Sequence, residues 1–480
     1  MSTRPHSGPT QTSCSRCREK KRKCDKASPS CSLCTRLHLT CTYQLTTPSA
    51  TLPKSNPTSH VGVGILPDSA TLTPSHIKRT LIQLLSNRQP NDAASAYCSV
   101  IKPWFHIISD DALCRRLPSS WDEATVDFTL LSLTIVLLSC VPKRHFSNES
   151  EHPHLMSLYF STKACIALVE GAGNSSLEVA QSKLFITLFE VVHGFYPAAY
   201  MSIGAAVRAV EALIIHDESN APLIQLALSE ERRGDIMMTW RGVLIVDRYI
   251  AIENGRWPSV TRDRAFPGLP KTMPMETPLP ISPPRHQFLR LFEASTLLEK
   301  VHVSIYEPVS ERSFETEEVV LIAQTLSSLE TVLYHEIPDK QKSFSSSLIF
   351  CSIGKLLFCE NGIKLDPADQ ELGQCFAIAT ASLDILIEGV VRIAEQLVQR
   401  EHGADIKFFP PFRIYLVYRS AAILTEKMHL NDLSGINLQR LKTLRQVLRT
   451  VSQRWLGAER YLKLLDENTT PRILKAMEKI

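Results

Sequence analysis

Residues 14–41 read Cys14-Ser-Arg-Cys17-Arg-Glu-Lys-Lys-Arg-Lys-Cys24-Asp-Lys-Ala-Ser-Pro-Ser-Cys31-Ser-Leu-Cys34-Thr-Arg-Leu-His-Leu-Thr-Cys41. The spacing is C-x2-C-x6-C-x6-C-x2-C-x6-C, two halves with the same internal pattern. A C-x2-C pair brings two sulfurs to one side of a tight turn, where they pinch a single metal ion. Tetrahedral zinc takes four ligands, so two ions need eight coordination positions. Six thiolates fill eight positions only if two of them bridge, one from each half. The stretch therefore predicts a binuclear cluster on Cys14, Cys17, Cys24, Cys31, Cys34 and Cys41 that holds two Zn2+ ions. Three other readings of the cysteines stay open. A disulfide knot requires export, a single four-cysteine site leaves the symmetric spacing unexplained, and an iron–sulfur centre lacks the usual ferredoxin runs.

Charge is concentrated in the same place. Between Cys14 and Cys41 lie eight Lys or Arg residues against Glu19 and Asp25, a net +6, whereas the whole chain of 480 residues carries +4. Even with six thiolates and two zinc ions, formally −2, the segment stays positive. A compact basic patch of this kind is the footprint of a module that meets a polyanion. So small a unit cannot build an adequate apolar core, and metal binding supplies folding free energy on the order of 10 kcal/mol. Six of the thirteen cysteines sit in these 28 residues. The other seven (Cys98, Cys114, Cys140, Cys165, Cys351, Cys359 and Cys375) lie in mostly apolar surroundings and read as buried core thiols.

The run Cys14-Ser-Arg-Cys17-Arg-Glu-Lys-Lys-Arg-Lys-Cys24-Asp25, with Pro29 before Cys31 and Tyr43 after Cys41, resembles the fungal Zn2Cys6 binuclear-cluster family. The resemblance implies that the first and fourth cysteines, here Cys14 and Cys31, are the bridging ligands. It also implies a short helix after Cys17 lying in the major groove of double-stranded DNA. Lys20 and Lys21 then occupy base-contacting positions at the helix end and meet a CGG-like triplet, since guanine O6 and N7 are both acceptors. Arg18, Lys23 and, more weakly, Arg22 and Arg36 suit phosphates. Ser15 stands where many members carry an acidic residue, and Glu19 interrupts the basic run. The run Lys20 to Lys23 with Lys26 also suits a nuclear import signal.

Outward from the cluster (residues 10–45), residues 46–75 form a Pro/Ser/Thr-rich stretch that reads as a flexible linker. Residues 76–480 then show helical periodicity and no convincing β alternation. The expected fold class is a small metal-stabilised Zn2Cys6 domain followed by a large all-α helical domain. Ile77, Leu81, Leu84 and Leu85 make a stripe too short for a coiled coil, which leaves monomeric binding or a homodimer through the helical domain open. The heptad rhythm from Leu441 to Leu465 reads as one buried bundle helix rather than a zipper. Ser120 and Glu123 have capping-box spacing ahead of the apolar run Phe128–Val141, which is shorter than the roughly 20 residues a bilayer span requires. No apolar h-region marks the N-terminus as a signal peptide.

Two further stretches resemble the fungal-specific regulatory domain, or middle homology region. One is Ala199–His216, with Gly204, Ala206, Arg208 and His216 in register. The other is Glu231–Val260, with Arg232, Arg233, Trp240, Asp247, Arg248, Gly255, Arg256 and Pro258 matching, and Met238 replacing a usual aromatic. With Pro103-Trp104-Phe105-His106 the likeness spans about residues 100–270. Arg232 and Arg248 are expected to pair with Asp247, Asp235 or Glu253, and His193 and His216 to act as caps or core residues. Catalytic residues are not expected. There is no P-loop, GxSxG or HExxH, His335-Glu336 lacks a second histidine, and the Gly171-Ala-Gly173 turn follows no strand. The expected function is that of a nuclear regulator of RNA polymerase II genes, with DNA and the transcription machinery or co-regulators as partners and no membrane. The alternative is a ligand-sensing or protein-interaction module whose zinc cluster binds DNA only weakly.

Overall fold

Helix is dictated nearly everywhere after residue 73, and the computed structural model describes residues 13–27, 30–37, 40–42, 73–85, 87–142, 152–219, 230–255, 257–262, 283–306, 316–364, 372–399, 409–429 and 434–478. Pro29, Tyr43, Arg256, nearly all of the expected linker and residues 263–282 lie outside them, as does the side chain of His216. Among the described residues there is no strand. The chain divides into two compact units, residues 1–64 and 65–480.

The first unit contains two one-turn helices, α1 (Ser15–Glu19) and α2 (Ser32–Arg36). Its buried core consists of Cys14, Cys17, Cys31 and Cys34, with Cys24, Leu33 and Cys41 packed against them. Sulfur takes the place that leucine and valine hold in an ordinary core.

The second unit is a helical assembly. In chain order it runs α3 (Pro74–Leu84), α4 (Pro90–Ala96) continuing into a π-helical turn (Tyr97–Ile101), α5 (Asp110–Arg116), α6 (Val126–Ser139), α7 (Pro153–Gly171), α8 (Leu177–Val192), α9 (Ala198–Ser219) and α10 (Glu230–Asn254). There follow α11 (Pro283–Tyr306), α12 (Thr316–Glu336), α13 (Asp339–Lys342), α14 (Ser346–Gly362), α15 (Leu372–Gln399), α16 (Arg413–His429), α17 (Gly435–Val451), α18 (Gly457–Asn468) and α19 (Pro471–Glu478). Three helices form the interior because they are apolar all round. Every residue of α8 except Glu178 is buried, as is every residue of α6 from Phe128 to Leu138 and most of α14. Helix α8 packs against α6 and α9, α10 against α9 and α11, and α14 against α11, α12, α15 and α16. Trp104, Tyr249, Phe350, Phe412 and Trp455 interlock edge to face or stacked between 4.8 and 6.4 Å, joining early, middle and late parts of the chain.

Several sequence expectations give way to specific physical causes. Helix α6 is capped by Thr125, which accepts from the Phe128 amide, and not by Ser120, whose carbonyl instead receives the Glu123 amide in a turn. The heptad stretch is two helices, α17 and α18, because Gly457 starts a new helix where it meets the end of α8. A Cβ on Gly457 would lie 2.8 Å from the Val192 carbonyl oxygen, and the opposing Gly194 has φ +71°. Leu441, Leu444, Leu448, Val451, Trp455, Ala458 and Leu465 are buried within the unit, so a zipper there is unavailable. Ile77, Leu81 and Leu85 likewise dock onto the core. Arg248 bonds Glu299 at 2.8 Å with Ser295 and Thr296, whereas Asp247 accepts from the Val260 and Thr261 amides and the Thr261 hydroxyl. Glu253 accepts from Tyr196, and Asp235 lies 3.7 Å from Arg116. The expected pairing of Arg248 with Asp247 or Glu253 is therefore replaced by a bond to α11. His193 is buried at the end of α8 and accepts from the Leu456 amide. Cys165 and Cys351 are buried as expected and Cys140 and Cys359 half-buried, but Cys98 and Cys114 are exposed. Both sit on short, peripheral helical turns whose inner faces are taken by Tyr97, Ile101, Ala112 and Leu113.

Candidate metal centre and nucleic-acid interface

Each half of the N-terminal unit begins with a cysteine as helix cap. The Cys14 sulfur accepts from the Cys17 amide and the Cys31 sulfur from the Cys34 amide, both at 3.4 Å. The second cysteine of each pair then rides on the helix one turn on and faces inward. The Cys31 amide donates to the Cys41 sulfur at 3.3 Å, and the Ser15 amide donates to the Thr42 carbonyl, closing the unit on itself.

Two groups of four sulfurs result, Cys14, Cys17, Cys24, Cys31 and Cys14, Cys31, Cys34, Cys41, each with all sulfurs within 4.8 Å of one another. Cys14 and Cys31 belong to both. The separations are 3.8 Å for Cys14–Cys31, 3.9 Å for Cys14–Cys34 and 3.7 Å for Cys17–Cys31. A tetrahedron with Zn–S of about 2.3 Å has an edge of roughly 3.8 Å, which these three separations match, so the donor set suits zinc. No disulfide geometry competes, since a bonded pair would lie at about 2 Å. Hydrogen bonding with Cys14 and burial push the Cys17 thiol up, and burial with neighbouring thiols pushes Cys34 up to about 12. A cation held between the sulfurs would favour their thiolate forms.

A model described as "Fungal Zn(2)-Cys(6) binuclear cluster domain" matches residues 12–49, and one described as "Fungal specific transcription factor domain" matches residues 94–335, half of the chain. The chain belongs to the fungal Zn2Cys6 transcription factors. Its cluster domain binds two zinc ions. The regulatory-domain match runs beyond the expected span of 100–270, through α12. "Transcription factor BOA15" of Botryotinia fuckeliana (strain B05.10) is 32% identical over 122 residues, which cover 25% of this chain and 65% of that relative. No solved structure matches.

In this Zn2Cys6 chain, Arg18, Lys20, Lys21, Arg22 and Lys23 are all exposed. The helix expected to follow Cys17 starts earlier, at Ser15, and ends at Glu19, because capping by Cys14 sets its first turn. It stops in a Schellman motif, with Arg22 N–H donating to the Cys17 carbonyl at 2.8 Å and Lys21 N–H to the Arg18 carbonyl at 3.1 Å. Lys21 takes the left-handed position of that motif with φ +49°, and Lys26 is also left-handed at +58°. Asp25 was noted in the sequence without a role. Its carboxylate accepts from the Ser32 amide at 3.1 and 3.2 Å and from the Ser32 hydroxyl, joining the halves at the start of α2. The Ser32 side-chain bond, with the backbone bond, holds the Asp25 carboxyl below its ordinary range. Its position seven residues before a helix gives no local signal for such a cap. Among the described residues no helix is long and apolar enough to cross a membrane.

Proposed function

We propose that this chain is a sequence-specific regulator of RNA polymerase II genes that reads CGG-like sites in the major groove and acts in the nucleus. In this reading Cys14 and Cys31 bridge the two zinc ions, Lys20 and Lys21 contact base edges, and Arg18, Arg22, Lys23 and Arg36 hold phosphates. Residues 10–45 are the reader, 46–75 the tether and 76–480 the regulatory domain, which contacts co-regulators. A homodimer would have to form through a face of the helical domain other than the apolar stripe of Leu441–Leu465, which is turned into the unit.

The observation that carries the DNA-reading role is the backbone at Lys21. A left-handed position closing a Schellman motif ordinarily takes glycine, and an L-residue there costs about 1 kcal/mol. The Lys21 side chain makes no core contact that would offset this cost, as it is exposed. A lysine standing against local preference fits a side chain needed for a ligand outside the fold.

The test is a gel-shift titration of the zinc-loaded protein and of Lys21→Gly against a CGG duplex and a scrambled one. Lys21→Gly should keep its zinc and lose about 1–3 kcal/mol of CGG binding while leaving scrambled binding nearly unchanged. Equal loss on both duplexes would make Lys21 a phosphate contact and remove it from sequence reading. Wild-type binding indifferent to CGG or to chelator would overturn the proposed function.

A further inference from the structure

Cys98 and Cys114 are exposed thiols on neighbouring turns, outside the zinc cluster. Cys98 lies on the π-helical turn Tyr97–Ile101 and Cys114 on α5. The two elements are fastened together at two points. Lys102 Nζ bonds both oxygens of Asp110 at 2.5 and 2.6 Å. The Tyr97 hydroxyl donates to the Ile108 carbonyl at 3.1 Å and accepts from the Ile108 amide at 2.9 Å. Cys98 precedes Lys102 by one turn, and Cys114 follows Asp110 by one turn, each on the same face as its partner. That spacing puts Cys98 and Cys114 on the side of the two turns that Lys102 and Asp110 join, near enough for Cys114 to act electrostatically on Cys98.

We propose that Cys98 and Cys114 form a reversible disulfide when the protein meets a hydroperoxide, making this corner of the regulatory domain a redox-modification site. Partial burial pushes the Cys98 thiol up, Lys102 pulls it back, and Asp110 and Cys114 add to the rise. A thiol held in its protonated form suits the resolving step, and Cys98 takes that role. In the first step the Cys114 thiolate attacks a peroxide oxygen. An S–O bond forms, the O–O bond breaks, and the leaving oxygen departs as hydroxide or alkoxide and takes up a proton. In the second step Cys98 sulfur attacks Cys114 sulfur. The S–S bond forms, the S–O bond breaks, and hydroxide leaves with the Cys98 proton as water. Two electrons pass from the thiols to the peroxide. A cellular thiol reductant reverses the bond by exchange, as expected of a transient disulfide in a reducing compartment. The bridge lies beside Arg116, which bonds Glu178 of α8 at 2.9 Å and approaches Asp235 of α10 at 3.7 Å, so oxidation stiffens a segment anchored to the buried helices.

The experiment uses the full-length, zinc-loaded chain treated with hydrogen peroxide, alkylated, and digested with trypsin. Pro103 follows Lys102 and blocks cleavage there, so residues 89–115 emerge as one fragment carrying both cysteines. The expected fragment after oxidation is unalkylated and two hydrogens lighter than the reduced form. It should return to double alkylation after dithiothreitol. Cys98→Ser should leave a sulfenic acid on Cys114 that a dimedone probe labels, and Cys114→Ser should leave the fragment singly alkylated and unlabelled. A fragment that stays doubly alkylated at doses that oxidise other thiols of the chain would overturn the proposal. So would independent oxidation of each cysteine to sulfinic acid without a bridge. Because the fragment is read directly, oxidation of the zinc cluster is scored separately and does not confuse the outcome.

Discussion

Arg454→Met tests which of two opposed effects dominates at a buried guanidinium. Arg454 is 2% exposed and lies against the C-terminal end of α6. Its Nη1 donates to the Ser139 and Cys140 carbonyls, both at 2.8 Å, and its Nη2 to the Leu138 carbonyl at 3.3 Å. These are acceptors that a helix leaves without partners, and the cation also sits at the negative end of the helix dipole. The guanidinium lies 4.4 Å from the Trp455 ring centroid. Against this, burial pulls the Arg454 pKa down to about 10. At about 1.4 kcal/mol per pKa unit, the charged form is penalised by about 3 kcal/mol. Methionine would relieve that penalty but strand three carbonyls at about 1–2 kcal/mol each, and forfeit about 1 kcal/mol of ring contact. The stranded acceptors and the lost ring contact together outweigh the charge, and a net loss of about 1–4 kcal/mol is expected. Arg454→Lys should fall between, because one ammonium cannot serve three carbonyls in a fork geometry. Urea unfolding followed by tryptophan fluorescence reads the shift, with Trp455 and Trp104 adjacent to the site. Hydrogen exchange at the end of α6 should accelerate in parallel. Unchanged or increased stability of Arg454→Met would show that the charge is a burden and refute the anchoring role.

Gly457→Ala should destabilise the helical unit by about 1–3 kcal/mol, because the new Cβ meets the Val192 backbone oxygen at 2.8 Å and backbone cannot yield as a side chain does. Gly435→Ala, with nothing within 4 Å, should be neutral or stabilising on the same thermal melt, and equal effects at the two sites would discredit the close-approach explanation. His193 is held neutral by burial, its pKa lowered from 6.5 to about 3. The unfolded chain therefore binds a proton that the native state refuses between those values, and stability attributable to His193 should fall as pH drops from 6.5 toward 3. His193→Phe should flatten that part of the pH profile, at the expense of the acceptor for the Leu456 amide; an unchanged slope would assign acid sensitivity to other groups. In the cluster, Cys17→Ser removes a ligand from one four-sulfur group whereas Cys31→Ala removes one from both. Metal analysis should find about one zinc retained in the first and neither retained in the second; two zinc ions in Cys31→Ala would defeat the bridging assignment.

How legible each part is in the sequence follows from the range of the interactions that make it. In the large unit, helix positions are readable because apolar period and length are local. The apolar period across residues 155–170 lies on α7 (Pro153–Gly171), and that across residues 317–335 on α12 (Thr316–Glu336). The break at Gly457 was not readable, since its cause is a backbone more than two hundred residues earlier. The same holds for Arg248, which has a carboxylate next to it in sequence and a different one, Glu299, next to it in space. Short elements such as α4, α5 and α19 carry too few residues for a period to register. The exposure of Cys98 and Cys114 escaped for a related reason. An apolar neighbourhood in sequence says nothing of which face of a short turn is outward.

The zinc module escapes these limits because its fold and its site are made of the same six side chains. The buried set of the N-terminal unit is sulfur, and the ligands lie within 28 residues at fixed intervals, so spacing alone carries both the packing and the chemistry. One structural detail beyond the pattern, the left-handed Lys21, follows from the cap: Cys14 starts the helix, the helix lasts one turn, and the chain must reverse at residues 20–21 to bring Cys24 back to the sulfurs of Cys14 and Cys31. The reversal projects the basic run away from the cluster, into solvent. The metal centre thus sets the position of Lys20 and Lys21 directly, without a hydrophobic scaffold between. On the proposed reading, zinc removal is expected to abolish DNA binding by dissolving the platform, not by altering the contacts themselves.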